Sequence, residues 1–182
     1  MNALLGYTTL LLALFLAFPL QELMPRVLAF YGAPLLIVPA LFCYGALQFP
    51  VPAMLGLAVF AGALSDLAYL HVVGGQVEIG FGWSIVFFVI TGLAANGFRP
   101  MFLQGHWWVH IPISVVITSL YLALQFVMIS FRREGFYFSE VAAWRIIGSG
   151  LLAGLIAPFI HVLTWLASEF LTATPRRRTV NP

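Results

Sequence analysis

Lysine is absent from this chain, and charge of either sign is scarce: Lys+Arg number 8 and Asp+Glu 6, so charged residues make up 8% of 182. About a quarter of an ordinary soluble chain is charged, so a water-soluble globular domain is excluded. The sequence pI of about 9.0 reflects few charges rather than a basic stripe, and no nucleic-acid partner is expected. One cysteine, Cys43, cannot form an intramolecular disulfide; it sits in an apolar run and reads as a small packing residue. The chain also lacks a P-loop, a dinucleotide fingerprint, a cysteine cluster and an HExxH element. No cofactor or metal is therefore expected, and the breaks between apolar runs are too short to hold a catalytic domain.

What the chain has instead is apolar length. Hydrophobic residues are 62% of the total and the mean hydropathy is +1.02. A transmembrane helix needs about 20 mostly apolar residues, and apolar runs fall at residues 3–20, 27–47, 53–70, 81–95, 106–130 and 143–171. The expectation is an all-α polytopic membrane protein, about six transmembrane helices in one bundle over residues 1–171, with membrane lipid around it. A short polar, Arg-rich tail follows over residues 172–182. The first run has no basic flank before it and no small-x-small site after it, and is read as a retained helix rather than a signal peptide. Pro34 and Pro39 are expected to kink the second run, and residues 48–52 to form a tight turn. Six crossings place both termini on one side, and Arg176, Arg177 and Arg178 favour the cytoplasmic side for the C-terminus.

The chain turns on residues 52–97, two apolar runs joined by a Gly-rich loop. Asp66 lies in the first of them. A carboxylate at bilayer depth costs roughly 2.5–3.5 kcal/mol on insertion scales, so it needs a partner, a water-filled cavity or a proton. Gly62, Ser65, Asp66 and Tyr69 stand at i, i+3, i+4 and i+7 and share one helix face. Small residues beside an acid suggest close packing on another helix. Two readings follow: Asp66 fixes an intramembrane or inter-protein contact, or it forms an ion pair within the chain, with Arg145 a candidate partner. Glu78 in the loop reads as a solvated acid, with a ligand or partner contact as the alternative.

Other patterns carry less chemistry. His106 and His110 are spaced i, i+4 as two metal ligands on a helix would be, but beside Trp107 and Trp108 they read as interfacial residues. His71 and His161 stand near run ends and read the same way. Ser119 has no framing motif for a nucleophile. Ser114, Thr118, Tyr121 and Gln125 recur at steps of four, three and four, a polar stripe facing the bundle interior. Gly150 and Gly154, with Ser149, Ala153 and Ala157 alongside, form small-residue strips that permit close helix contact, within the chain or with a partner.

The central stretch, Gly62-Ala-Leu-Ser-Asp66-Leu followed by a Gly-rich turn and Gly80-Phe-Gly-Trp, resembles the rod shape-determining protein MreD family, as does the proline-rich segment from Pro34 to Pro52. The resemblance covers roughly residues 35–97. Gly62 and Asp66 match the Gly-x-x-x-Asp positions. The resemblance implies a non-enzymatic, multi-pass inner-membrane component of the bacterial cell-wall elongation machinery, with an MreC-type protein and other elongation components as partners. Residues 99–106 and 131–144 have no counterpart in that pattern. A second resemblance is to the substrate-binding membrane subunits of energy-coupling-factor vitamin transporters, which carry Ala-x-x-x-Ala on their first helix, matched here by Ala13 and Ala17.

Overall fold

The computed structural model describes residues 3–68, 72–73, 76–77, 80–132 and 138–172, and their side chains over 4–67, 80–131 and 138–167. Seven α-helices account for most of them: α1 (Ala3–Leu23), α2 (Ile37–Gln48), α3 (Val51–Ala68), α4 (Trp83–Asn96), α5 (Arg99–Leu103), α6 (His110–Arg132) and α7 (Glu140–Thr172). The only described strand pairing joins Val72–Val73 antiparallel to Gln76–Val77 between α3 and α4. Three helices, α1, α6 and α7, are long and apolar enough to cross a membrane, whereas α2, α3 and α4 are shorter apolar helices. At about 1.5 Å per residue, the 12 residues of α2 and the 14 of α4 fall short of a hydrocarbon core about 30 Å thick.

The second apolar run corrects the expectation of one kinked helix. Pro25 ends α1, because the residue before a proline is pushed out of the α region. The chain then makes a 3-10 turn at Leu28–Phe30, passes through left-handed Tyr31 (φ 51°) and Gly32 (φ 77°), and pairs Val27 with Ala33 in an isolated bridge. Pro34 thus stops helix formation instead of bending it, and α2 starts only at Ile37. Pro39 is tolerated because the N–H groups of a first helical turn lack intrahelical partners anyway. The expected tight turn at 48–52 is likewise shorter: Phe49 and Pro50 suffice, and α3 begins at Val51.

Short as it is, α2 is the centre of the fold. Every side chain from Val38 to Leu47 is buried, and the helix packs against α1, α3, α4, α5, α6 and α7. Phe42 meets Phe88 of α4 with ring centroids 4.8 Å apart, and Tyr121 of α6 stacks on Phe88 at 5.5 Å. Both ends of α2 are closed by neighbours. The Gln21 side-chain oxygen accepts the N–H groups of Ile37 and Val38 at 3.0 and 3.2 Å. At the other end, the Asn96 amide donates to the carbonyls of Ala46 and Phe49 at 2.6 and 2.8 Å, and Arg99 Nε donates to that of Gln48 at 3.4 Å.

The remaining helices surround α2, and their outward faces are apolar: Leu12, Phe15, Ile90, Val116, Leu155 and Phe159 are all exposed. Polar side chains are inside. Ser65, Ser84, Thr91, His110, Ser114, Thr118 and Ser149 are buried. That distribution is the reverse of a soluble domain and suits a chain solvated by lipid.

Candidate functional site

Asp66, near the end of α3, is 5% exposed. Its carboxylate accepts the backbone N–H of Gly82 at 2.6 Å and of Ser84 at 3.2 Å. These are orphan donors at the start of α4, which has no cap from its own side chains; Gly82 occupies its N-cap at φ 104°, a conformation open to glycine. A negative charge there is also favoured by the helix dipole. The Ser84 hydroxyl lies 3.2 Å from the Tyr121 hydroxyl, within reach of which Ser65 and Gln125 also stand. Ser65 itself donates to the Ala61 carbonyl at 2.8 Å. Asp66 thus closes the α3–α4 hairpin and ties it, through Ser84 and Tyr121, to α6.

Arg145 is not its partner. Arg145 is exposed, and its Nε donates to the Tyr31 carbonyl at 3.0 Å. A carboxylate already bonded to two backbone donors has no need of the guanidinium. Glu78, with Tyr69 and His71, lies outside the described residues.

The small-residue positions are committed within the chain. A Cβ at Gly62 would stand 2.5 Å from Ile85 Cα, so the glycine lets α3 and α4 touch backbone to backbone. On α7, a Cβ at Gly150 would collide with Ser119 Oγ, and one at Gly154 would stand 2.5 Å from Val115 Cγ2, so this strip is the α6–α7 seam. Ser149, Ala153 and Ala157 are fully buried. Of the two readings these strips admitted, close packing inside the bundle is the one the geometry carries; a partner must use other faces. Ala17, half of the Ala-x-x-x-Ala pair, is also buried, with Ala13 packed partly behind it.

The polar stripe on α6 faces inward: Ser114 and Thr118 are fully buried and Tyr121 nearly so. The two spaced histidines part company. His106 precedes α6 and its Nδ1 lies 3.3 Å from the Met101 carbonyl, whereas His110 is buried with Nε2 3.0 Å from the Ala40 carbonyl. Helical spacing did not apply, because α6 starts only at His110 after a 3-10 turn at Trp107–Val109. Among the described residues no three His, Cys, Asp or Glu side chains gather as metal ligands. Cys43 is buried.

His161 is the position where the sequence signal is weakest and the surroundings are richest. Its ring stacks on Trp107 at 5.8 Å and 12°, and neighbours Tyr44 at 6.1 Å and Phe102 at 5.9 Å. It also lines a cavity of about 500 Å³ between α1, α2 and α7, with Thr9, Tyr44, Gln48, Thr164 and Trp165. A second concavity of about 480 Å³ lies between α4 and α6 and is apolar apart from Thr91, whose hydroxyl is already bonded to the Phe87 carbonyl at 2.8 Å.

The class these features define is an all-helical chain with an apolar exterior, a polar interior and three helices able to cross a membrane. No family model, curated protein or solved structure matches it.

Proposed function

We propose that this protein is a six-helix, multi-pass component of the bacterial inner membrane that acts without catalysis in the cell-wall elongation machinery, in the manner of the MreD family. On this reading α2, α3 and α4 complete the membrane-embedded bundle together with α1, α6 and α7, and both termini are cytoplasmic. The observation that carries it is the α3–α4 hairpin. The Gly-x-x-x-Asp element behind the resemblance stiffens that hairpin: Gly62 brings the backbones together and Asp66 caps α4. The outer face of α4 then presents Trp83, Val86, Ile90 and Leu93, all exposed. Their steps of three, four and three make an apolar seam of the kind that packs against another helix. The occupant in this reading is a transmembrane helix of an MreC-type protein.

The test is affinity purification of the tagged full chain from native membranes after mild crosslinking. Recovery of an MreC-type protein and wall-synthesising enzymes supports the reading. Recovery of an ATPase pair with a bound vitamin overturns it in favour of the energy-coupling-factor alternative. The cavity beside His161 favours that alternative.

A further inference from the structure

We propose that Arg145 and Arg26 form a binding site for the phosphate head group of an anionic phospholipid, at the end of the bundle where α1 finishes and α7 begins. The inference concerns the purified chain and does not rest on the scaffold reading.

Depth in the membrane comes first. Leu23 and Leu28 stand on either side of Arg26 in the chain and are 81% and 89% exposed. In a chain with an apolar exterior, leucines this bare are solvated by lipid rather than water. Tyr31 in the same turn and Trp144 next to Arg145 are exposed too, and such aromatics mark the level of the head groups. Arg26 and Arg145 are both exposed, and long cationic side chains near helix ends reach for that same level.

The geometry prepares one guanidinium for a phosphate. The turn at residues 27–33 sits tightly on α7: a Cβ at Gly148 would stand 2.7 Å from Phe30 Cβ. Arg145 Nε donates to the Tyr31 carbonyl at 3.0 Å, and its Nη2 lies beside Gly32, 3.9 Å from where a Cβ would be. The Nε bond holds the plane of the group and leaves the Nη1 and Nη2 hydrogens without a partner among the described residues. That planar fork matches two oxygens of one phosphate. Arg26 stands at the root of the same turn, because the carbonyl of Val27, the next residue, accepts the Gly32 N–H at 3.0 Å.

Charge selects the lipid. Neither arginine pairs with a carboxylate among the described residues. Two cations without a counter-charge favour a net-negative head group. A zwitterionic one brings its own cation, which the pair repels.

The experiment mixes the full chain in mild detergent with equimolar phosphatidylglycerol and phosphatidylcholine and reads bound lipid by native mass spectrometry. Phosphatidylglycerol should be retained about tenfold over phosphatidylcholine, as a single adduct. Arg145→Gln should lower that retention about tenfold. Arg145→Lys, which keeps the charge but not the fork, should recover only part of it. Phe159→Leu, on the exposed face of α7, should leave it unchanged. Should Arg145→Gln not fold, as judged by its unfolding midpoint, Arg26→Gln removes a side chain bonded to nothing among the described residues and should lower retention about fivefold. Equal retention of the two lipids, or retention of phosphatidylglycerol indifferent to the arginine changes, would overturn the proposal. So would its displacement by inorganic phosphate, which demands a site for a free anion rather than a lipid.

Discussion

Asp66 holds the backbone N–H of Gly82, 16 residues ahead of it, at 2.6 Å. The same relationship occurs earlier in the chain, where Gln21 holds the N–H of Ile37, also 16 residues ahead, at 3.0 Å. In each case a helix ends in a buried polar side chain that reaches the first turn of a shorter helix. Buried backbone donors without water must find an acceptor. The two short helices, α2 and α4, start inside the protein and receive theirs from α1 and α3. No repeat of residue type accompanies this repeat of geometry.

Removing the carboxylate should therefore loosen the hairpin. Asp66→Leu leaves the Gly82 and Ser84 donors unpaired and should destabilise the purified protein by about 2–6 kcal/mol, at about 1–3 kcal/mol per unsatisfied group. Asp66→Asn keeps one acceptor oxygen and should cost about half as much. Thermal unfolding in detergent reads both. Equal stability of the Leu variant and the native protein would mean that the capping bonds contribute nothing.

The earlier cap predicts a parallel loss. Gln21→Leu strips the acceptor from Ile37 and Val38 and should likewise cost about 2–6 kcal/mol, although Gln21 lies outside the stretch that resembles a known family. Hydrogen exchange should localise the effect to the first turn of α2. Uniform exchange across the bundle would point instead to global repacking.

Gly62 separates close approach from mere smallness. A Cβ there meets Ile85 Cα at 2.5 Å, whereas one at Gly80 meets nothing nearer than Trp83 Cδ1 at 4.0 Å. Gly62→Ala should cost about 1–3 kcal/mol by overpacking, and Gly80→Ala should be close to neutral. A matched pair of unfolding midpoints would show that the two helices can part without penalty.

Much of this architecture is legible in the sequence, because lipid-facing helices must be apolar over long runs. Runs at 53–70, 81–95, 106–130 and 143–171 correspond to α3, α4, α6 and α7 within a few residues. Hydropathy is blind to backbone conformation, however. Residues 27–36 are as apolar as a span, and only the left-handed Tyr31 and Gly32 followed by Pro34 explain why no helix forms there. The burial of Asp66 follows from its cost in lipid, but its partners do not. A search for opposite charge leads to Arg145, whereas the acceptors' true partners are backbone N–H groups, which no side-chain pattern reveals. The cavity is harder still. Thr9, Tyr44 and His161 come from three helices far apart in the chain, and no spacing rule connects them.

The last expectation concerns the face on which a partner would sit. With Gly62, Gly150 and Gly154 committed inside the bundle, interaction must use exposed side chains. On α4 the residues Val86, Ile90 and Leu93 are 50%, 62% and 48% exposed, one apolar seam on the helix that Asp66 caps. On α1, Leu12 and Leu16 are equally exposed but lie outside the stretch that resembles the MreD family. Ile90→Trp and Leu93→Trp add bulk at side chains about half or more exposed, so folding and thermal stability should be retained within about 0.5 kcal/mol. Recovery of an MreC-type partner from native membranes should nevertheless fall severalfold, because overpacked helix seams lose the close contact that holds them. Leu12→Trp and Leu16→Trp should leave recovery unchanged. Asp66→Asn should reduce it to an intermediate level, since a loosened hairpin presents the seam less rigidly. Undiminished recovery with the two α4 variants, or loss with the α1 pair alone, would move the interface off this hairpin and separate the Gly-x-x-x-Asp element from partner binding.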